Sequence, residues 1–119
     1  MSEPMNGQVT YFYLNVPDLK AARTFYRDTL GLEEAWREGE TTCAFKLPGT
    51  DVQLMLDQAA DDLSGRAGLV FMVPDTDAYY QRHRETLDFH RPPMDIPGGG
   101  RWVGANDGSG NSFYVGDIQ

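Results

Sequence analysis

Leu14-Asn15-Val16-Pro17-Asp18 returns 57 residues later as Phe71-Met72-Val73-Pro74-Asp75, close to half of the 119-residue chain. In each copy an alternating, strand-like stretch meets a Val-Pro-Asp corner and then a helical pattern. The fixed φ of proline suits the corner, and Asp18 and Asp75 are placed to accept hydrogen bonds from the free N–H groups of a first helical turn. The first helix reads over roughly residues 18–30, with Leu19, Ala22, Tyr26 and Leu30 on one stripe and Phe25 beside it. Gly31 then supplies the left-handed residue that commonly ends a helix. The second helix reads over roughly 75–87, with Tyr79, Tyr80, His83 and Leu87 as its inward residues.

Three short strands follow each helix. The first set falls at about 33–37, 41–47 and 52–56, divided by Gly39 and the Pro48-Gly49-Thr50-Asp51 turn. The second set is weaker at first, near 91–96, and then clear at about 102–106 and 112–117. The turns Gly98-Gly99-Gly100 and Asp107-Gly108-Ser109-Gly110-Asn111 separate them. The expected architecture is α+β: two βαβββ modules paired into a curved, cup-shaped mixed sheet with helices outside. Residues 1–119 form one domain on this reading, with module one at about 9–57, a polar linker at about 58–66 and module two at about 67–118.

Ten Lys plus Arg stand against eighteen Asp plus Glu, a net charge of −8. A phosphate-binding face needs clustered basic residues, so nucleic acid is excluded as the main partner. The apolar runs, such as Gly68 to Val73, are too short to span a bilayer, and no secretory leader is visible at the N-terminus. A single cysteine, Cys43, allows no internal disulfide and suits a cytoplasmic location. It lies in a strand pattern and reads as a small buried side chain.

Phe25-Tyr26-Arg27-Asp28-Thr29-Leu30-Gly31-Leu32 matches the FYxxxLGL signature of the vicinal oxygen chelate superfamily, and Asp107-Gly108-Ser109-Gly110-Asn111 is close to that family's DPDGN turn. With the repeated Val-Pro-Asp corner, the chain from about Val9 to Gly116 resembles this superfamily of glyoxalases, extradiol dioxygenases and bleomycin-resistance proteins. The resemblance implies four metal-ligand positions, which fall here at Tyr11, Gln53, Gly68 and Tyr114. Divalent cations take imidazole, carboxylate or carbonyl donors, usually three or more. Glycine offers none, neutral phenols are poor ligands, and one amide cannot hold an ion. The expectation is therefore no metal and no cofactor, which disfavours glyoxalase and dioxygenase chemistry.

Period-two alternation points Val9, Tyr11, Tyr13, Asn15, Gln53, Met55, Asp57, Gly68, Val70, Met72, Ser112, Tyr114 and Gly116 to the face away from the helices. Trp36 and Trp102 are placed at its rim. The expected ligand-binding set is Tyr11, Tyr13, Trp36, Gln53, Met55, Asp57, Gly68, Met72, Trp102 and Tyr114, with no catalytic residue. Gly68 is expected to leave room at the wall. His83 and His90, on the second helix and the loop after it, fall outside these positions. Aromatic rings and methionines suit a planar or partly apolar organic ligand, and an acidic concavity attracts cations. The resemblance to bleomycin-resistance proteins then implies an antibiotic-resistance role: a cytoplasmic homodimer that sequesters an aromatic or cationic natural product. The alternative is an enzyme of the same superfamily with a displaced or absent metal, for which Tyr11, Tyr114 and Asp57 would be the acid–base groups.

Overall fold

The computed structural model of the protein describes residues 5, 7–58, 67–96 and 99–117. The chain forms two compact units, one spanning Thr10–Ala67 and the other comprising the residues from Gly68 onward together with those before Thr10. The fold class is α+β; the first unit has three strands after its helix, as expected, and the second has four because the segment after its helix is split into short pieces. Most of the expected linker, 59–66, lies outside the described residues, as does Gly98 of the glycine triplet.

The first module runs β1 (Gln8–Asn15), α1 (Leu19–Thr24) with a π-helical turn (Phe25–Thr29), β2 (Glu34–Glu38), β3 (Thr42–Lys46) and β4 (Gln53–Asp57). Its strand order is β2-β3-β4-β1, with β1 parallel to β4 and the other pairs antiparallel. The Asp18 carboxylate accepts from the Ala21 N–H at 3.2 Å, satisfying one of the donors that a helix start leaves open. The helix covers a core of Leu19, Cys43, Phe45, Leu54 and Leu56, with Leu14, Val16, Ala22, Tyr26, Leu32 and Leu47 packed around it. Full burial of side chains such as Phe45 and Leu56 stabilises by about 1.5–3 kcal/mol each.

The inward stripe of the first helix is shorter than its α-helical spacing predicts. The Leu30 N–H donates to the Phe25 carbonyl, five residues back, so the turn holds one residue more than an α-turn. Leu30 is thereby rotated off the stripe and is 56% exposed, and Phe25 is 48% exposed. Leu32, whose N–H donates to the Tyr26 carbonyl, joins the core instead.

The second module runs β5 (Ala67–Met72), α2 (Thr76–His83), β6 (Asp88–Phe89), β7 (Met94–Asp95), β8 (Arg101–Asn106) and β9 (Ser112–Gly116). Its order is β5-β9-β8-β6, with β7 also paired to β8 and β5 parallel to β9. Asp75 caps α2 as Asp18 caps α1, accepting from Ala78 N–H at 3.1 Å. Val73, Val103 and Val115 form the core, packed by Met5, Tyr79, Tyr80, Phe89 and Phe113. Two expectations are corrected. The helix ends at His83, not Leu87, and the chain beyond it closes in a turn, the Thr86 N–H donating to the His83 carbonyl three residues back. The weak strand near 91–96 is two two-residue strands on either side of Pro92-Pro93, which lack the N–H groups a continuous ladder needs.

A latch recurs at the start of each helix. The Leu19 N–H donates to Oε1 of Gln58, just after β4, at 2.7 Å. In the second module the Thr76 N–H donates to the carboxylate of Asp117, just after β9, at 2.6 Å. Asp117 also accepts from the Arg101 N–H at 2.8 Å, and the fully buried Thr76 hydroxyl donates to the Arg101 carbonyl at 3.2 Å. Burial pushes the Asp117 pKa upward, but the N–H groups of Thr76 and Arg101 outweigh it and hold the group below its ordinary value.

Candidate functional site

In each module the sheet face opposite the helix, termed the open face because its own module's helix packs on the other side, carries the residues assigned to it by alternation. Of these, Tyr13, Asn15, Val70 and Tyr114 are buried. In the first module Tyr11 pairs with Gln53, Tyr13 with Met55 and Asn15 with Asp57. On the other side of β4, Thr42, Ala44 and Lys46 pair with Asp57, Met55 and Gln53. Trp36 reaches this face through a bulge between Glu34 and Trp36. Before the bulge, Glu34 pairs with the core residue Phe45 and forms a two-point ion pair with Arg23 of α1, at 2.8 and 2.9 Å. After it, Trp36 pairs with Ala44 on the open face.

Two side-chain groups result. In one, the Trp36 indole N–H donates to Gln53 Oε1 at 3.1 Å, and the Tyr11 and Trp36 rings meet edge to face with centroids 6.1 Å apart. In the other, the Asp57 carboxylate accepts from the Tyr13 hydroxyl at 2.7 Å and from the Thr42 hydroxyl at 2.9 Å. The amide nitrogen of Asn15 donates in turn to the Tyr13 oxygen at 3.3 Å. Thr42 is a participant that alternation on β1 and β4 alone did not identify. Asp57 is thus held by two hydroxyl donors, one on each oxygen. Such a carboxylate presents fixed negative charge and acceptor lone pairs.

The open face of the second module is a lattice of glycines and rings. Trp102 pairs with Gly116, Gly104 with Tyr114 and Asn106 with Ser112 across β8 and β9, and Val70 and Met72 of β5 pair with Tyr114 and Gly116. The Trp102 and Tyr114 centroids are 6.0 Å apart. Tyr114 is only 3% exposed, so it underlies this face, and the half-buried Trp102 stands beside it.

His90 is the residue that sequence reasoning missed. It follows β6, but its ring lies on the open face, against Gly104. A Cβ built on Gly104 would come within 2.7 Å of His90 Nδ1 and 3.0 Å of Tyr114 Cε1, so only glycine admits both rings. The glycine at an open-face position of β8 was the available signal. His90 Nε2 lies 2.9 Å from Asn106 Oδ1 and 3.5 Å from the Ser112 hydroxyl. The Asp88 carboxylate can only accept, so it takes the Asn106 amide N–H at 2.9 Å and leaves Oδ1 toward the imidazole. Nε2 therefore carries a proton and cannot serve as the base that activates Ser112.

Gly68 gives a second correction. A Cβ there would overlap the carbonyl oxygen of Ser112, so the glycine marks a close approach of β9 and leaves no room at the wall. Cys43 is fully buried in the core of the first module, and burial pushes its thiol up to about 11, with Glu34 adding to the rise.

Residues 8–115 match the family model of the Glyoxalase/Bleomycin resistance protein/Dioxygenase superfamily. The chain belongs to that superfamily. No curated protein matches it. Among solved structures, a superfamily member from Vibrio splendidus 12B01 is similar over 96% of this chain and 100% of its own, with 18% identity and a TM-score of 0.64. Streptomyces coelicolor methylmalonyl-CoA epimerase in complex with 2-nitronate-propionyl-CoA is similar over 94% and 97%, with 19% identity and a TM-score of 0.69. A hypothetical protein from Bacillus halodurans C-125 is similar over 97% and 96%, with 11% identity and a TM-score of 0.71. At these identities the likeness is one of fold.

The superfamily implies a divalent cation, and the side chains at its four positions do not fit one. Gly68 carries no donor and has no space for one. The Gln53 carbonyl oxygen already accepts from the Trp36 N–H, and a single neutral amide cannot hold an ion. Tyr11 and Tyr114 are phenols packed against Trp36 and Trp102. Among the described residues no group of three or more His, Cys, Asp and Glu is gathered as a cation would require. Among the same residues, no helix is long and apolar enough to cross a membrane.

Proposed function

We propose that this superfamily member binds a small organic molecule without a metal, in the manner of bleomycin-resistance proteins, and so sequesters an aromatic or cationic natural product. The observation that carries this reading is the chemistry of the open faces, where the superfamily's donor positions hold two phenols, an occupied amide and a glycine that admits no side chain. In their place stand Tyr11, Trp36 and Met55 on the face that carries the fixed carboxylate of Asp57 in the first module, and Trp102 beside Tyr114, with Met72 opposite Gly116, in the second. Rings and a thioether adapt to a planar guest, and a carboxylate with fixed hydroxyl partners favours a cationic one. On this reading the protein acts in the cytoplasm as a homodimer.

Titration of bleomycin and of planar aromatic cations against the emission of Trp36 and Trp102 tests the proposal. Quenching with a dissociation constant of micromolar or below, unchanged by EDTA, is expected. Silence across the panel, or one equivalent of divalent metal retained through EDTA dialysis, refutes it. Sedimentation at micromolar concentration tests the dimer, and a species of about 13 kDa would refute that part.

A further inference from the structure

We infer that His90 is a specificity-determining contact of the second module's open face, supplying one of two half-buried rings packed beside the buried Tyr114. The inference rests on the proposed ligand-binding role and names the part of the site that alternation on the strands does not reveal.

Three observations converge on it. First, the rings of Trp102 and His90 both approach Tyr114, with centroids 6.0 and 6.4 Å from it, Trp102 from its own position on β8 and His90 from over Gly104, two residues further along the same face. Both are half-buried, whereas Tyr114 is 3% exposed, so a guest on this face meets Trp102 and His90 while Tyr114 supports them. Second, the backbone has been cleared for the imidazole. Gly104 is the one residue on that part of β8 that lets the His90 ring settle on the strand beside Tyr114, since any Cβ would strike both. Third, the ring is held in place. The His90 N–H donates to the Gly104 carbonyl at 2.8 Å, and Nε2 is bound by Asn106, which Asp88 orients. A ring fixed in this way loses little rotamer freedom when a guest arrives, so its contact energy is retained in the binding constant.

The same bonding sets the kind of contact. With Nε2–H committed to Asn106, what His90 offers a guest is its ring, not a hydrogen bond from that nitrogen. Asp88, one amide away, places negative charge behind it. The guest this favours is a planar aromatic cation, stacked or edge-packed against imidazole and indole together.

Ethidium is a suitable probe, read by quenching of tryptophan emission and by equilibrium dialysis, with His90→Ala and His90→Phe compared to the unaltered chain. His90→Ala is expected to weaken binding tenfold or more, and His90→Phe, which keeps a ring over Gly104, to stay within threefold. The circular dichroism melt of each variant shows whether it is folded, and Asn106→Ala, which releases the ring without removing it, gives an intermediate loss. If the unaltered chain does not bind ethidium or any other planar cation, the ligand-binding role itself fails. If it binds and folded His90→Ala binds equally well, or His90→Phe loses as much as His90→Ala, the role stands and the ring contact of His90 is overturned.

Discussion

Asp117 offers a demanding test of how the second module is held together. Its carboxylate accepts from the backbone N–H groups of Thr76 and Arg101 at 2.6 and 2.8 Å, joining the first residue of α2 to the first residue of β8. Asp117→Ala leaves both donors without that acceptor. Each buried donor left unsatisfied costs about 1–3 kcal/mol, and partial access of water to the site favours the lower half of that range. The expected loss is about 2–4 kcal/mol, or a fall in Tm of roughly 8–16 °C for a domain of this size. Asp117→Asn should cost nearly as much, because an amide has one acceptor oxygen and its NH2 would face an N–H. Gln58→Ala, which removes the equivalent single bond to Leu19 in the first module, should cost about 1 kcal/mol.

The pH dependence has a definite sign. The folded-state pKa of Asp117 lies below its unfolded value, so its stabilising contribution is complete above about pH 4 and is lost as the pH falls through the folded value. The gap between Asp117→Ala and the unaltered chain should therefore be constant from pH 5 to 8 and narrow below pH 4. Urea unfolding followed by circular dichroism at several pH values measures it. A deficit no larger than that of Gln58→Ala, or one that widens with acid, would show that the carboxylate does not hold the helix start.

The remaining predictions concern the cores and the open faces. Gly104→Ala forces a Cβ into the space of the His90 and Tyr114 rings and should destabilise by about 1–3 kcal/mol, with a shifted Trp102 emission maximum; a variant as stable as the parent would mean the rings yield freely. Tyr13→Phe removes a donor to Asp57 and an acceptor for Asn15 and should cost about 1–2 kcal/mol. A double-mutant cycle with Thr42→Ala should show coupling of 0.5 kcal/mol or more, about the least expected of groups sharing one partner, and additivity would deny that they share Asp57. Cys43, with its thiol pushed up to about 11, carries roughly one part in ten thousand as thiolate at pH 7. It should react with Ellman's reagent only at the rate of unfolding, and rapid labelling of the native protein would contradict its burial.

Much of this was legible because it follows from local rules. The caps at Asp18 and Asp75, the left-handed Gly31 and the first three strands after α1 follow from residue types acting on their own neighbours. Alternation likewise sorted the strand faces correctly. What escaped is what depends on distant backbone. The π-turn that exposes Leu30 changes the helical period, which a stripe read at α spacing takes as given. Gly68 was read as room and is a collision avoided, because Ser112 is 44 positions away in sequence and its carbonyl cannot be foreseen at that spot. His90 reaches the open face by a short strand that Pro92-Pro93 cuts off, and nothing in its own neighbourhood of sequence says where its ring will rest. The bulge that turns Trp36 outward was equally invisible, although the residue itself was selected.

The two halves show which features a duplicated fold must keep and which it is free to change. Both must satisfy the N–H groups at a helix start, and both do so twice over, with an aspartate cap from within the turn and a side chain just beyond the last strand of the module. No such demand acts on the open faces, and there the halves differ: hydroxyls around a carboxylate in one, glycines under rings in the other. The second arrangement also works against recovery of a metal site by single substitution. Gly68→His would bring an imidazole to the superfamily's ligand position only by driving its Cβ into the Ser112 carbonyl, so β9 would have to move, and Tyr114 and the rings beside it move with that strand. Gly68→His is therefore expected to lose fold stability without gaining zinc affinity, and tight, stoichiometric zinc binding by a stable Gly68→His protein would show that the aromatic face and the metal site are interchangeable after all.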